Sequence, residues 1–398
     1  MTFDITKQTG ESISEAIYLA AFSCFLILGF LESTTFTIGA PEAIISIIRS
    51  VLLGVGIYRV FVCKSELTKS TLVSVAVLFG LGLFFLIARG DYFIVDMAVV
   101  MMGSIGVPFK RIGSLYIFIA GFIGVLALIC SQVGVIPDYV FYTDIGAKTV
   151  TRHSFGIIYP TDCFAHLFYL GIVYFIVRWK RITYIELGII AAISVALFML
   201  TGARAGFACM VLSWIMVICC KLTGYREVKI SDKFKAAAGA LIMPFGALFM
   251  LVLTWFFKPY NELYAKIDNV MTQRLSYGRL GFDLYGFTPL GSANFAENGN
   301  ANGGVFKYDY VFYDSSYIKM LFKYGFIVLI LVLVIYALIS VRLVKNKMFY
   351  AVIFIAAIAL SCVIEHHIWE LPYNLTFLLL TADMSSCLQT HSYIINNK

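Results

Sequence analysis

From residue 13 to residue 387 the chain alternates runs of about twenty mostly apolar residues with polar connectors, all short but two, 133–158 and 258–314. A helix rises 1.5 Å per residue, so about twenty apolar residues match the roughly 30 Å hydrocarbon core of a bilayer. Hydrophobic residues make up 61% of the 398 residues and charged residues only 13%. A soluble domain carries about 25% charged residues. No protein interior of this size absorbs so much apolar surface, so the pattern excludes a soluble globular domain. Only helices and closed barrels satisfy their backbone groups in lipid, and runs of this length select helices. The sequence therefore predicts an all-α polytopic integral membrane protein.

Twelve spans are expected, at 13–31, 42–61, 71–88, 92–108, 113–132, 159–177, 183–200, 205–220, 236–257, 315–341, 348–365 and 368–387. The fourth, holding Asp96, and the last, holding Pro372 and Asn374, are the weakest, which sets the range at 10–12. Lysine and arginine in short connectors set orientation. Basic residues fill 62–70, 109–112, 178–182, 221–235 and 342–347, whereas 32–41 and 366–367 carry none. This alternation places both termini in the cytoplasm. The apolar run after Lys7 is longer than a signal-peptide core and reads as an uncleaved anchor. There is no internal repeat, which counts against inverted-repeat transporters.

Three external segments break the charge trend. The smaller loop, 133–158, contains Arg152 and His153, and the tight turn TGAR at 201–204 presents Arg204. The large loop, 258–314, supplies Arg274 and Arg279 and contains the Gly/Asn-rich stretch 297–304, expected to act as a flap. Arginine offers a planar fork of donors that matches phosphate oxygens two at a time. Several arginines on a face where positive charge is otherwise sparse suit an anionic lipid head group, above all a diphosphate. A lone arginine there is more often a snorkelling side chain. Asp314 stands at the start of the tenth span and is either a helix cap or a general base. Aromatic residues within 305–317 are candidates to stack on sugar rings.

Arg49 and Asp96 lie at similar depth in spans two and four and are expected to pair. In EHHIWE, 365–370, a helical course would send His366 and His367 to different faces, so no metal site is expected. The nine cysteines show no CxxC spacing, arguing against a disulfide framework or zinc site. The net charge of +7 fits basic cytoplasmic connectors, and nothing points to nucleic acid.

Four short motifs resemble those of bacterial polysaccharide repeat-unit polymerases, in the O-antigen polymerase and ligase superfamily. RHSFGIIYPTD, 152–162, is similar to their R-x-S-x-G-F-x-H-P-N, with Ile157 and Tyr159 in the Phe and His places. TGARAGF, 201–207, resembles T-x-S-R, with Ala203 for serine and Arg204 matching. RLSYGRLGFDLYGFTPLGS, 274–292, resembles L-S-G-R followed by an L-F-G-type turn, with Arg279 matching. DSSYIKMLFKYG, 314–325, resembles D-N/S-x-Y-L…G, with Asp314, Tyr317 and Gly325 in register. Ligases carry a histidine where Asp314 stands and a small residue or tyrosine where Val328 stands, so polymerase is favoured over ligase.

The resemblance covers about 150–330. It implies a glycosyltransferase-C-like architecture in the bacterial cytoplasmic membrane and no metal or other cofactor. Its activity would join undecaprenyl-diphosphate-linked oligosaccharide repeats, yielding O-antigen, capsule or exopolysaccharide outside the membrane. Catalytic roles fall on Arg204, Arg279 and Asp314, and substrate-binding roles on Arg152, His153, Arg274 and Tyr317. Expected partners are membrane lipid, the lipid-linked oligosaccharide, a chain-length regulator and a flippase. The other readings are a flippase or carrier of lipid-linked saccharide and a transferase of finished polymer.

Overall fold

A computed structural model describes residues 2–37, 42–63, 67–145, 148–225, 229–298 and 311–388. Among them, nine helices are long and apolar enough to cross a membrane. These are α1 (Thr2–Glu32, crossing from Gly10), α2 (Glu42–Cys63), α3 (Lys69–Arg89), α5 (Phe109–Gln132), α6 (Pro160–Val177), α7 (Tyr184–Thr201), α8 (Arg204–Leu222), α9 (Asp232–Trp255) and α12 (Ser316–Lys345). Two shorter apolar helices, α4 (Phe93–Gly103) and α13 (Phe349–Ile364), occupy the positions expected for the fourth and eleventh spans. The protein is a polytopic helical membrane protein. Its outer surface is studded with exposed Ile, Leu, Val and Phe, among them Phe61, Ile87, Phe118 and Phe245. That inverts the usual soluble surface and is what lipid contact requires.

The helices alternate in direction, so connections gather at two ends. One end, called here the loop end, carries the hairpin of β1 (Val140–Ile145) and β2 (Lys148–His153), where an irregular loop was expected. It also carries two short helices, α10 (Glu262–Val270) and α11 (Arg274–Tyr285). Capping follows ordinary rules. Asn261 accepts from the first N–H groups of α10, and Thr183 with Glu186 closes a reciprocal capping box on α7.

Two places depart from helical backbone inside the bundle. α12 breaks at Gly325, whose φ of 86° and ψ of 173° are open to glycine alone. The turn 288–292 docks into that break. Phe326 and Ile327 donate N–H groups to Thr288 and Pro289 carbonyls at 3.0 and 3.2 Å, and Ser292 donates to Phe322 at 2.8 Å. Arg89 ties down the remaining carbonyls of Lys323, Leu290 and Gly291. A Cβ at Gly325 would lie 2.3 Å from the Gly291 nitrogen, so the approach exists only because both residues lack side chains.

The second departure corrects the twelfth span. Residues 365–384 form no α-helix; the chain makes turns and one 3-10 turn, Thr376–Leu380, before Asp383 pairs with Pro108 at the opposite end. Pro372 has no N–H to give, and Asn374 binds its own neighbourhood instead of yielding to a helix. Its amide donates to Tyr336 Oη and Ile368 O at 2.8 Å, and its oxygen accepts from Thr376. Such irregular backbone is tolerated at membrane depth only where protein surrounds it. Tyr373, Leu375, Phe377 and Leu378 are accordingly buried.

Candidate functional site

At the loop end, α11 begins at Arg274, and this arginine is the hub. Its Nε donates to Ile364 O at 2.7 Å, its Nη1 to Met271 O at 3.0 Å and to the Thr272 hydroxyl, and its Nη2 lies 3.2 Å from Asp314 Oδ2. The N-cap of α12 is Ser315, whose hydroxyl donates to Cys362 O and caps nothing. Asp314 is therefore no cap. Burial raises its pKa, with Arg274 acting against that rise.

Arg152 and Arg204 approach from earlier in the chain. Strand residues alternate faces, so Arg152 and its neighbour His153 part company. Arg152 turns to the TGAR turn, where Nε donates to Thr201 O at 2.6 Å across Gly202. His153 turns to Asp138, Nδ1 to Oδ2 2.7 Å, and with it secures the base of the hairpin. Arg204 is the first residue of α8, is exposed, and has no hydrogen-bond or ion-pair partner for its guanidinium among the described residues. Burial lowers the pKa of Arg152; Glu365 opposes this, and the charges of Arg274 and Arg204 add to it. The three arginines thus share one field.

Glu365, which carried no catalytic role in the sequence reading, belongs to the same group. It ends α13, is 4% exposed, and its carbonyl accepts from both Ser316 N and Ser316 Oγ. Burial lifts its carboxyl pKa to about 7, against the pull of Arg274 and His367. Apart from its position in EHHIWE, the sequence held no signal for this.

Besides His153, two expected residues are elsewhere. Arg279 lies five residues after Arg274 on α11, about 140° around the helix at 100° per residue. There it donates to Trp255 O and Asp283 Oδ1 and stacks over the Trp255 ring. Tyr317 is fully buried between α9 and α13, donating to Ala359 O at 3.1 Å, and braces the bundle. The stretch 299–304 of the expected flap, and the aromatic residues of 305–310, lie outside the described residues.

A second polar region adjoins the first through Asp162, on the first turn of α6. Residues 365–370 leave the helix with Glu365 at φ −131° and ψ 149°, and the two histidine rings lie side by side, centroids 4.1 Å apart and tilted by 39°. This corrects the expectation that they diverge, which assumed a helical course. His367 Nδ1 contacts Glu370 Oε2 at 2.7 Å and its Nε2 faces Asp162 Oδ1 at 3.6 Å. Burial alone would lower its pKa, but Glu370 and Asp162 outweigh it and push it up to about 10. His366, Glu370 and Asp162 line a cavity of about 430 Å³ that the Arg49–Asp96 pair also lines. That pair forms as expected, through contacts of 2.8, 3.0 and 2.9 Å.

The chain matches no family model, no curated protein and no solved structure.

Proposed function

We propose that this protein is a membrane-embedded glycosyltransferase that polymerises lipid-diphosphate-linked oligosaccharide repeats at its loop end, which faces away from the cytoplasm. The observation that carries the reading is the pair of guanidiniums on Arg152 and Arg204. Their Nη donors are unengaged among the described residues, and they stand beside the Arg274–Asp314 pair. Two cations with free donors at a helix N-terminus form a receptor for a diphosphate, since the helix dipole adds to their charge.

In this reading the growing chain, on its lipid diphosphate, is the donor. The acceptor hydroxyl of the incoming repeat attacks the anomeric carbon, and the bond from that carbon to the diphosphate oxygen breaks. Arg204 and Arg152 hold the departing charge. The hydroxyl proton passes to Asp314, which Arg274 keeps in position, and burial strengthens that carboxylate as a base. Lipid diphosphate then leaves with its electron pair, so no acid is required at the leaving group.

Arg204→Ala and Arg152→Ala in a producing strain are each expected to lower polymer formation by about 100-fold or more, leaving single-repeat products. Full-length polymer from both variants at normal protein level would remove them from the site. Accumulation of lipid-linked repeat on the cytoplasmic side would instead indicate a carrier.

A further inference from the structure

His366, His367 and Glu370 offer three ligand atoms that lie within 4.8 Å of one another. We propose that they bind a divalent transition metal ion of the zinc class, with its open coordination positions turned to the cavity beside Arg49 and Asp96. Metal–nitrogen bonds are about 2.0–2.1 Å, so ligand atoms around a tetrahedral ion stand about 3.3 Å apart. His366 Nε2 and Glu370 Oε1 are already 3.5 Å apart. His367 Nδ1 and Glu370 Oε2, at 2.7 Å, share a proton that the ion replaces and releases to solvent.

Three further features point to an ion. The far nitrogen of His367, on a fully buried ring, is paired among the described residues with Asp162 alone, beyond ordinary hydrogen-bond length. It faces Asp162 Oδ1 at 3.6 Å, the carboxylate–histidine arrangement that orients metal-bound imidazoles. The rings are also held rigid from behind. Tyr373 stacks on His367 at 3.8 Å, His166 on Tyr373 at 3.8 Å and Phe30 on His166 at 4.0 Å, while Phe312 meets the edge of His366. A constellation fixed by packing is preorganised for a ligand. Two imidazoles and one carboxylate leave open positions, and His366 and Glu370 both line the cavity.

The test is metal binding by full-length, chelator-treated protein in detergent, titrated with Co²⁺ and followed by visible absorption. One equivalent should bind, with bands of a four- or five-coordinate nitrogen and oxygen site. His366→Gln and Glu370→Gln should weaken binding at least 100-fold, and Asp162→Asn 10- to 100-fold. Absence of saturable binding to the wild-type protein overturns the proposal, as does equal binding by soluble variants. Should those variants not fold, zinc-edge absorption on the wild-type protein decides. Two imidazoles with oxygen support the site, and sulfur ligands from the nine cysteines overturn it. Because the readout is binding, its failure leaves the glycosyl-transfer reading standing or falling separately.

Discussion

The loop end holds two charged regions on either side of Asp162, and they are built in opposite senses. Around Arg274 the cations outnumber their engaged partners. Arg152 and Arg204 keep free donors, and the carboxylates Asp314 and Glu365 sit behind them, recessed or fully buried. Around His367 the carboxylates close in from both sides, Glu370 at hydrogen-bond distance and Asp162 just beyond it. The first region suits an anion and the second a cation. What separates them is only the turn of chain at 365–370, where Glu365 faces one region and Glu370 the other. Leaving the helix at Glu365 is what lets residues so close in sequence belong to two charged regions.

The comparison breaks most visibly at Arg274. Removing it leaves Asp314 unpaired, takes a donor from Ile364 O and strips Glu365 of its main opposing charge. Breaking a largely buried ion pair by deleting one partner costs about 3–5 kcal/mol. Arg274→Ala is therefore expected to lower the thermal midpoint in detergent and to abolish polymer formation. Arg274→Lys keeps the charge without the fork and should recover part of the stability. If Arg274→Ala melts like the wild type, the hub assignment fails.

Glu365 sharpens the comparison through pH. Its carboxyl is raised from 4.5 to about 7, so the folded state holds the proton more tightly than the unfolded chain. The stabilisation is complete below about pH 4.5 and is lost as pH rises through about 7. The full swing is about 3 kcal/mol at 1.36 kcal/mol per pKa unit. Arg274, His367, Asp314 and Asp162 all act on this group, so the slope belongs to the whole cluster. Thermal midpoints at pH 5 and pH 8 should differ in the wild type and converge in Glu365→Gln. An unchanged slope in the variant would assign the titration to a neighbour.

How much of this was legible in the sequence follows from what each inference needed. The membrane class and most spans needed only hydropathy. The Arg49–Asp96 pair needed only depth, and depth is counted in residues from a span end. Orientation around a helix is harder, because it depends on the residue at which the helix begins. The α12 helix starts at Ser316, which sends Tyr317 inward beside Ala359 while leaving Asp314 in the mouth. The hairpin alternation that separates Arg152 from His153 was hidden because 133–158 read as loop. The convergence of His366 and His367 was hidden by an assumed helix. Pro372 and Asn374 were visible warnings against one, but local chemistry does not say where irregular chain will run.

Arg279 gives the finest test, because motif and geometry disagree about it. The motif comparison gives it the same weight as Arg204, whereas the helix turns it about 140° from Arg274. Its contacts there are those of a surface helix: an i,i+4 bridge to Asp283 at 2.7 Å and a donor to Trp255 O at 3.0 Å. Exposed pairs of this kind are worth about 0.3–0.5 kcal/mol. Stacking on Trp255 adds about 0.5–1 kcal/mol at a site this open. Arg279→Ala should therefore cost about 1.5 kcal/mol of stability at most and leave polymer length near that of the wild type. Arg204→Ala in the same strain should remove the polymer. Loss of polymer from Arg279→Ala at normal protein level would mean that α11 turns about its axis when substrate binds. The anion site would then include both arginines of that helix.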